Sequence, residues 1–267
     1  MENCKFTIII PNYNNAQWLD GLFESIISQT YDDYEVIFVD DCSTDNSVEI
    51  AERWANTFAE TKGIQMLVVR NGKKRYNGGS RNNGLANRTH QDGYILFIDS
   101  DDCFSDEKCL ESIAETIVVN NYPDLVRLSY YYKSCGSARL VDLSSQKTVQ
   151  DIVSGCDVAC WTKCVKGTLI VPFPENTLME DVVQHIQQLD VVQTIATTGK
   201  GIVVWNRDNT NSCSQNAELQ GGKWKSSLYR YLADLMDTVV QTPVCKAELE
   251  KRIAFTTKNV HTNTFVQ

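Results

Sequence analysis

Val36-Ile37-Phe38-Val39-Asp40-Asp41 and Tyr94-Ile95-Leu96-Phe97-Ile98-Asp99-Ser100-Asp101-Asp102 decide how this chain is read. Each is a short apolar run that stops at acidic residues. Four to five apolar residues bounded by turn formers read as a strand buried on both faces, as in a parallel sheet. Carboxylates at the carboxyl ends of such strands stand where open α/β sheets bind ligands. Several acids on one rim repel one another unless a divalent cation or a donor-rich ligand lies between them. The two runs therefore predict a site for a metal and a nucleotide.

Working outward, Phe6 to Ile10 reads as a first strand ended by Pro11. Asn14-Asn15 can cap a helix whose apolar residues Trp18, Leu19, Leu22, Phe23, Ile26 and Ile27 recur at helical spacing. Tyr34 to Val39 is the second strand. Ser43, Thr44 and Asp45 are N-cap types for a helix that carries Val48, Trp54 and Phe58 inward. Ile64 to Val69 is a third strand, Arg70 to Gly79 a loop, Ser80 to Asn87 a short helix, Gly93 to Ile98 a fourth strand and Asp106 to Asn120 an amphipathic helix. This alternation predicts a right-handed, parallel α/β sheet. Beyond Pro123 come a strand from Asp124 to Tyr132, an exposed strand within Gly136 to Leu143, and short elements up to Arg207. From Gly221 a helical pattern carries Trp224, Leu228, Tyr231, Leu232, Leu235 and Val239, Pro243 breaks it, and a last helix runs through Leu249 and Ile253 before a polar tail. Three stretches follow: 1–122, which carries the two acidic rims, 123–215, where the pattern changes, and 216–267 as a helical extension.

Two hundred and sixty-seven residues, 42% of them hydrophobic, suffice for one large α/β domain or a core with a small lobe. No apolar run approaches the ~18–20 residues of a spanning helix, and the first ten residues are too strand-like for a secretory signal. A soluble, cytoplasmic protein, at most peripheral to a membrane, is the expectation. A net charge of −9 argues against electrostatic capture of nucleic acid, although Arg70, Lys73, Lys74 and Arg75 form a local basic strip. None of the ten cysteines forms a C-x-x-C pair. Cys156, Cys160 and Cys164 recur every four residues, which would share a helical face, and read as buried free thiols ahead of zinc ligands.

The motifs then fall into an order. Pro11-Asn12-Tyr13-Asn14, Gln29 to Glu35 and Val39-Asp40-Asp41-Cys42-Ser43-Thr44-Asp45 resemble the start of the glycosyltransferase family 2 domain. Gly78-Gly79-Ser80-Arg81-Asn82-Asn83-Gly84 resembles that family's Ala-Arg-Asn-x-Gly element, with Ser80 in place of Ala. Phe97 to Asp102 resembles its D-x-D element, Phe173-Pro174-Glu175 with Glu180-Asp181 its Phe-Pro-Glu…Glu-Asp element, and Trp205-Asn206-Arg207 with Asn211-Ser212 the aromatic-x-Arg…Asn-Ser element. Five pieces in order over roughly the first 215 residues are specific where any one would be weak. The resemblance implies a GT-A fold and inverting transfer of a sugar from a nucleotide donor. No Gln-x-x-Arg-Trp element of processive synthases is present, so transfer of a single sugar is expected.

The resemblance and the residues together give candidate roles. Pro11 and Tyr13 stand at the mouth of the sheet, where an aromatic ring can stack on a base. Asp41 can accept the imide N–H of uracil, which points to a UDP-sugar. A capping role for Asp40-Asp41 is the alternative, and Asp45 is the better cap. Arg81 can pair with the diphosphate or with the acids that follow. Asp101 and Asp102 are candidate ligands for Mn2+ or Mg2+, with Asp99 and Ser100 on the donor side, since hard oxygens suit these ions. Asp181 is the candidate general base. Its neighbour Glu180 is placed on the acceptor side, although acids at a helix start also serve the helix dipole. Trp161, followed by Lys163 in a stretch resembling the family's Trp-x-Lys segment, either stacks on an acceptor sugar or packs in the core. Arg207 is a charge partner for phosphate. His185, one turn past Asp181, either lines the site or is structural, and His261 reaches a metal only if the tail folds back. The acceptor is a glycan or other hydroxyl, with an envelope or capsular precursor expected and a nucleobase or protein as alternatives. Nucleotidyl transfer would call for a glycine-rich loop after the first strand, where Pro11-Asn12-Tyr13-Asn14 stands instead. A non-catalytic sugar-nucleotide or glycan-binding module is the remaining reading.

Overall fold

A computed structural model describes residues 4–155, 157–175, 180–210, 212 and 240–262. The helix expected over 221–239, Cys156 and the side chain of His261 lie outside what it describes.

Four parallel strands form the first half of the sheet: β1 (Phe6–Asn12), β2 (Tyr34–Asp40), β3 (Met66–Arg70) and β4 (Tyr94–Phe97). They lie in the order β3-β2-β1-β4. Alternate residues of β1 serve different cores. Ile8 and Ile10 pack with Leu22, Phe23 and Phe38 on one face, while Ile9 packs with Val39, Leu85 and Phe97 on the other. Burial on both faces is why these strands read as unbroken apolar runs. Helices α1 (Ala16–Ile27) and α2 (Ser47–Lys62) contribute to the first core and α3 (Tyr76–Ala86) to the second.

Pro11 does not end β1; it pairs with Val39 inside the strand. The β1–β4 ladder stops at Ile9 and Phe97, with Ile98 N–H donating to the Ile9 carbonyl. Pro11 lies two residues further along the same edge, beyond the end of that ladder, where its missing N–H leaves no partner unsatisfied. Helix α3 also begins earlier than the expected Ser80, at Tyr76, with Gly78 and Gly79 inside it. A Cβ at Gly78 would clash with the Pro174 carbonyl, and one at Gly84 would sit 2.5 Å from Ile9 Cγ2. These glycines are there for close approach, not for a turn.

After β5 (Cys103–Phe104) and α4 (Cys109–Val119) the sheet becomes mixed. β6 (Leu125–Ser134) pairs with β7 (Ser137–Val141) and β8 (Lys163–Lys166) antiparallel and with β9 (Ile195–Asn206) in parallel, and β8 joins β4. One nine-stranded sheet thus runs through both halves. Helices α5 (Val149–Ser154), α6 (Glu180–Val191) and α7 (Pro243–Thr262) enclose a separate core of Leu125, Val165, Val183, Ile186, Cys245 and Leu249. Pro243 starts α7, a position where its lost N–H costs nothing. Cys160 lies in a 3-10 turn (Cys160–Thr162) and Cys164 in β8, so the four-residue cysteine spacing does not mark a helical face. Among the described residues no helix is long and apolar enough to cross a membrane.

Candidate active site

The acids of the two opening runs end β2 and follow β4, which flank β1 on either side. Strand order reverses at β1, and such a switch point opens a crevice beyond the carboxyl ends of the strands.

Asp41 is buried, and its carboxylate is already well used. Oδ1 accepts from Asn71 Nδ2 (2.8 Å) and from the Arg75 amide (2.7 Å), and Oδ2 accepts from the Tyr76 amide (2.8 Å). Asp41 therefore holds the entry to α3. A carboxylate offers about four acceptor positions, so roughly one is left on Oδ2. Asp40 accepts from the Ser43 amide and from Asn12, and Asp45 accepts from the Ser47 amide at the start of α2. The ring of Tyr13 is 43% exposed, with Lys74 Nζ 2.8 Å from its centroid. The face expected to meet a base carries a cation instead.

Arg81 is the hub. Its side chain is 3% exposed; Nη2 donates to Asp99 Oδ1 at 2.7 Å and Nη1 to Glu180 Oε1 at 2.6 Å. The guanidinium lies 5.2 Å from the Phe173 ring. Donor-side and acceptor-side acids, far apart in sequence, thus share one buried cation. Arg81 is spent on these acids, not held open for a diphosphate. Burial pushes the Glu180 carboxyl up to about 7, against the pull of Arg81 and helped by the charge of Asp181. Asp181 is also raised, first by burial, with Arg81 and Lys163 opposing and Asp99 adding to the rise. Its Oδ1 accepts the Val182 amide at 2.9 Å. Among the described residues no cation lies within ion-pair distance of Asp181.

Asp101 is partly exposed and its carboxyl is pushed up to about 6 by burial and by Asp99. Its Oδ2 accepts from Asn209 Nδ2 at 2.8 Å. Asp102 lies deeper: Oδ1 accepts the Asn206 amide of β9 at 2.8 Å, and Oδ2 is buried without a hydrogen-bond partner among the described residues. Ser100 Oγ accepts from Asn15. The charge of Arg207 reaches both Asp101 and Asp102, and its guanidinium sits 4.7 Å from the Trp205 ring. No group of three histidine, cysteine, aspartate or glutamate side chains is arranged to hold a metal among the described residues. The donor set fits a cation taking one or two ligands from Asp101 and Asp99 and the others from a bound diphosphate.

Trp161 is not an open platform. It is 4% exposed and packs edge-on against Tyr130 at 4.9 Å and beside Trp205 at 5.7 Å. Burial of the whole ring places it in the core. Behind it, Lys163 donates to the Val158 and Ala159 carbonyls and lies 3.1 Å from His185 Nδ1. Burial lowers Lys163 to about 7 and drives His185 well below its usual range, which makes His185 a neutral interior residue. Cys160 is pushed up to about 12 by burial, an inert thiol. The sequence reading missed Asn71, Asn82 and Asn209, which tie the site's loops together. Asn82 lies inside a quoted motif, Asn71 in the loop read over Arg70 to Gly79, and Asn209 between Arg207 and Asn211; polar amides there were the available signal.

The model of glycosyl transferase family 2 matches residues 7–144, just over half of the chain. The chain belongs to that family. An uncharacterized glycosyltransferase of Haemophilus influenzae is 36% identical over 114 residues, covering 43% of this chain and 35% of that protein. The poly(ribitol-phosphate) beta-N-acetylglucosaminyltransferase TarS of Staphylococcus aureus is 30% identical over 112 residues, 41% of this chain and 18% of TarS. These matches thus span about a third or less of their relatives' lengths. The crystal structure of TarS 1–349 with UDP-GlcNAc superposes with a TM-score of 0.73 at 19% identity, covering 97% of this chain and 73% of that one. A mannosyltransferase of Pyrobaculum calidifontis, in complex with GDP-Man and Mn2+, gives 0.65 at 15% identity, covering 99% and 76%. The family member described here has the GT-A fold, a curled mixed sheet flanked by helices.

Proposed function

We propose that this chain is an inverting, metal-assisted glycosyltransferase that moves one sugar from a UDP-sugar to an acceptor hydroxyl. One observation carries the reading: Arg81 joins Asp99, beyond β4, to Glu180, at the head of α6. That shared cation ties Asp99 of the D-x-D element to Glu180 of the Glu180-Asp181 pair, which supports a donor diphosphate facing an acceptor base.

Within this reading the remaining acceptor position on Asp41 takes the imide N–H of uracil, with Lys74 moving off Tyr13 as the base stacks. Asp101, supported by Asp99, would hold Mn2+ or Mg2+, which when bound neutralises charge on the leaving diphosphate. Asp102 anchors β9 beneath it, and Arg207 meets the phosphates. Glu180 is committed to Arg81. Asp181, raised in pKa and with no cation in ion-pair distance among the described residues, takes the proton of the acceptor hydroxyl, since raising a carboxylate's pKa strengthens it as a base. Relatives named for poly(ribitol-phosphate) glycosylation favour a hydroxyl of a cell-envelope glycan as acceptor.

The test is release of UDP from UDP-GlcNAc with Mn2+, beside calorimetric UDP binding. Wild type releases UDP and Asp181→Asn binds UDP equally but turns over ~10²-fold or more slowly. Full activity of Asp181→Asn would remove it as the base, and pyrophosphate as the product would replace sugar transfer with nucleotidyl transfer.

A further inference from the structure

We propose that Asn82 is a positioning residue for the acid pair 180–181, acting through the segment 171–175, and that α3 is the rail that holds both sides of the cleft in register. This rests on the transferase reading above.

The side-chain amide of Asn82 pairs with the backbone of Phe173 as a neighbouring strand would. Nδ2 donates to the Phe173 carbonyl at 2.8 Å, and Oδ1 accepts the Phe173 N–H at 2.8 Å. The two residues are 91 positions apart. Nδ2 also lies 3.2 Å from Glu175 Oε1, which takes Arg75 Nη2 at 2.6 Å. Between these contacts, Gly78 lets the Pro174 carbonyl come down onto the helix where any side chain would clash. Arg75, Gly78 and Asn82 follow helical spacing along one side of α3, so they meet a single strip of chain. The Phe173 ring, buried, meets Phe97 of β4 edge-on at 5.1 Å. One residue before Asn82, Arg81 reaches Glu180.

The same helix is fastened on the nucleotide side. Asp41 accepts the amides of Arg75 and Tyr76, and Asn71 donates to Ser80 and accepts from Asn83. Helix α3 and the residue before it therefore touch the base-side acid through Arg75 and Tyr76, and the D-x-D acid and the acceptor-side acid through Arg81. Only a primary amide supplies both halves of the Asn82–Phe173 pair. Alanine supplies neither, and aspartate keeps the acceptor but loses the donor and sets a negative charge beside Glu175.

The experiment compares wild type, Asn82→Ala and Asn82→Asp. It follows UDP release from UDP-GlcNAc with Mn2+, UDP affinity by calorimetry, and amide exchange at Phe173. Asn82→Ala should keep UDP affinity within about twofold, lose turnover in kcat by ~10–10²-fold with KM little changed, and expose the Phe173 amide to exchange. Asn82→Asp should hold the Phe173 amide better than Asn82→Ala and still lose kcat. Unchanged kcat with faster exchange would overturn the proposal, as would UDP affinity falling in step with kcat, which marks collapse of α3. If Asn82→Ala does not fold, Glu175→Gln loosens the outer end of the clamp, with the same split expected at about threefold and unchanged kcat again overturning it. Absence of UDP release by the wild type would refute the transferase reading, and the clamp would then stand or fall on the exchange at Phe173.

Discussion

Replacing Arg81 by methionine tests the joint between the two sides of the cleft. The substitution keeps an unbranched side chain and deletes the cation. It leaves Glu180, whose side chain is 9% exposed, and Asp99, at 31%, facing each other without a counter-charge. Removing one partner of a buried pair costs about 3 kcal/mol at the low end of the measured range, and the half-open Asp99 contact adds about 1 kcal/mol after solvent screening. A loss of about 4 kcal/mol corresponds to a fall in Tm of roughly 10 °C for a chain of this size. The pH dependence is the sharper signature. Glu180 is an acid whose folded pKa, about 7, lies above its usual value. The folded state therefore binds the extra proton between those two pKa values, and stability falls as pH rises through that window. Without Arg81 the folded pKa climbs further, so the deficit of Arg81→Met against wild type grows from about pH 5 to about pH 8. Urea denaturation at both pH values measures it, and Arg81→Met/Glu180→Gln should recover about 2 kcal/mol at the higher pH. A deficit under about 1 kcal/mol, or one equal at both pH values, would refute the claim that Arg81 is a buried cross-link.

Three further outcomes are expected. Gly84→Ala should lower stability by about 1–3 kcal/mol in a thermal melt, because the added methyl meets Ile9 Cγ2 at 2.5 Å between α3 and the sheet. Trp161→Ala should cost about 3–5 kcal/mol, whereas Trp161→Phe should leave the acceptor KM unchanged; a raised KM for Trp161→Phe would restore Trp161 to the acceptor site. Cys42 is exposed beside Asp41 and near the Asn71 carbonyl, while Cys135 is exposed on the β6–β7 turn. Maleimide labelling read by peptide mass spectrometry should show UDP slowing Cys42 and not Cys135; equal rates with and without UDP would place the nucleotide elsewhere.

The parallel half was legible because burial on both faces writes itself as unbroken apolar runs, and acids at their ends mark the rim. Pro11 was misread because a proline inside a strand is tolerated only where the neighbouring ladder has already ended, which depends on the length of β4 and not on local sequence. The start of α3 was missed for a related reason: Gly78-Gly79 has loop chemistry, and its helix is held by packing under Pro174 and Arg75. Arg81 was legible as a site residue, and its pairing with the acids of the D-x-D element as one alternative, but not its second partner Glu180, which lies 99 positions away at the head of a different helix. Trp161 could be read either as a platform or as core, and only the positions of Tyr130 and Trp205 decided it.

Because β4, β8 and β6 are laced edge to edge by backbone hydrogen bonds, the parallel and mixed halves of the sheet form one continuous layer under the candidate site. Shifting β4 against β6 would mean breaking that lacing, so the sheet carries both halves of the molecule as one unit. Adjustment at the candidate site then falls to the helices and loops standing off the layer, and redesign of the site has to be directed at those segments.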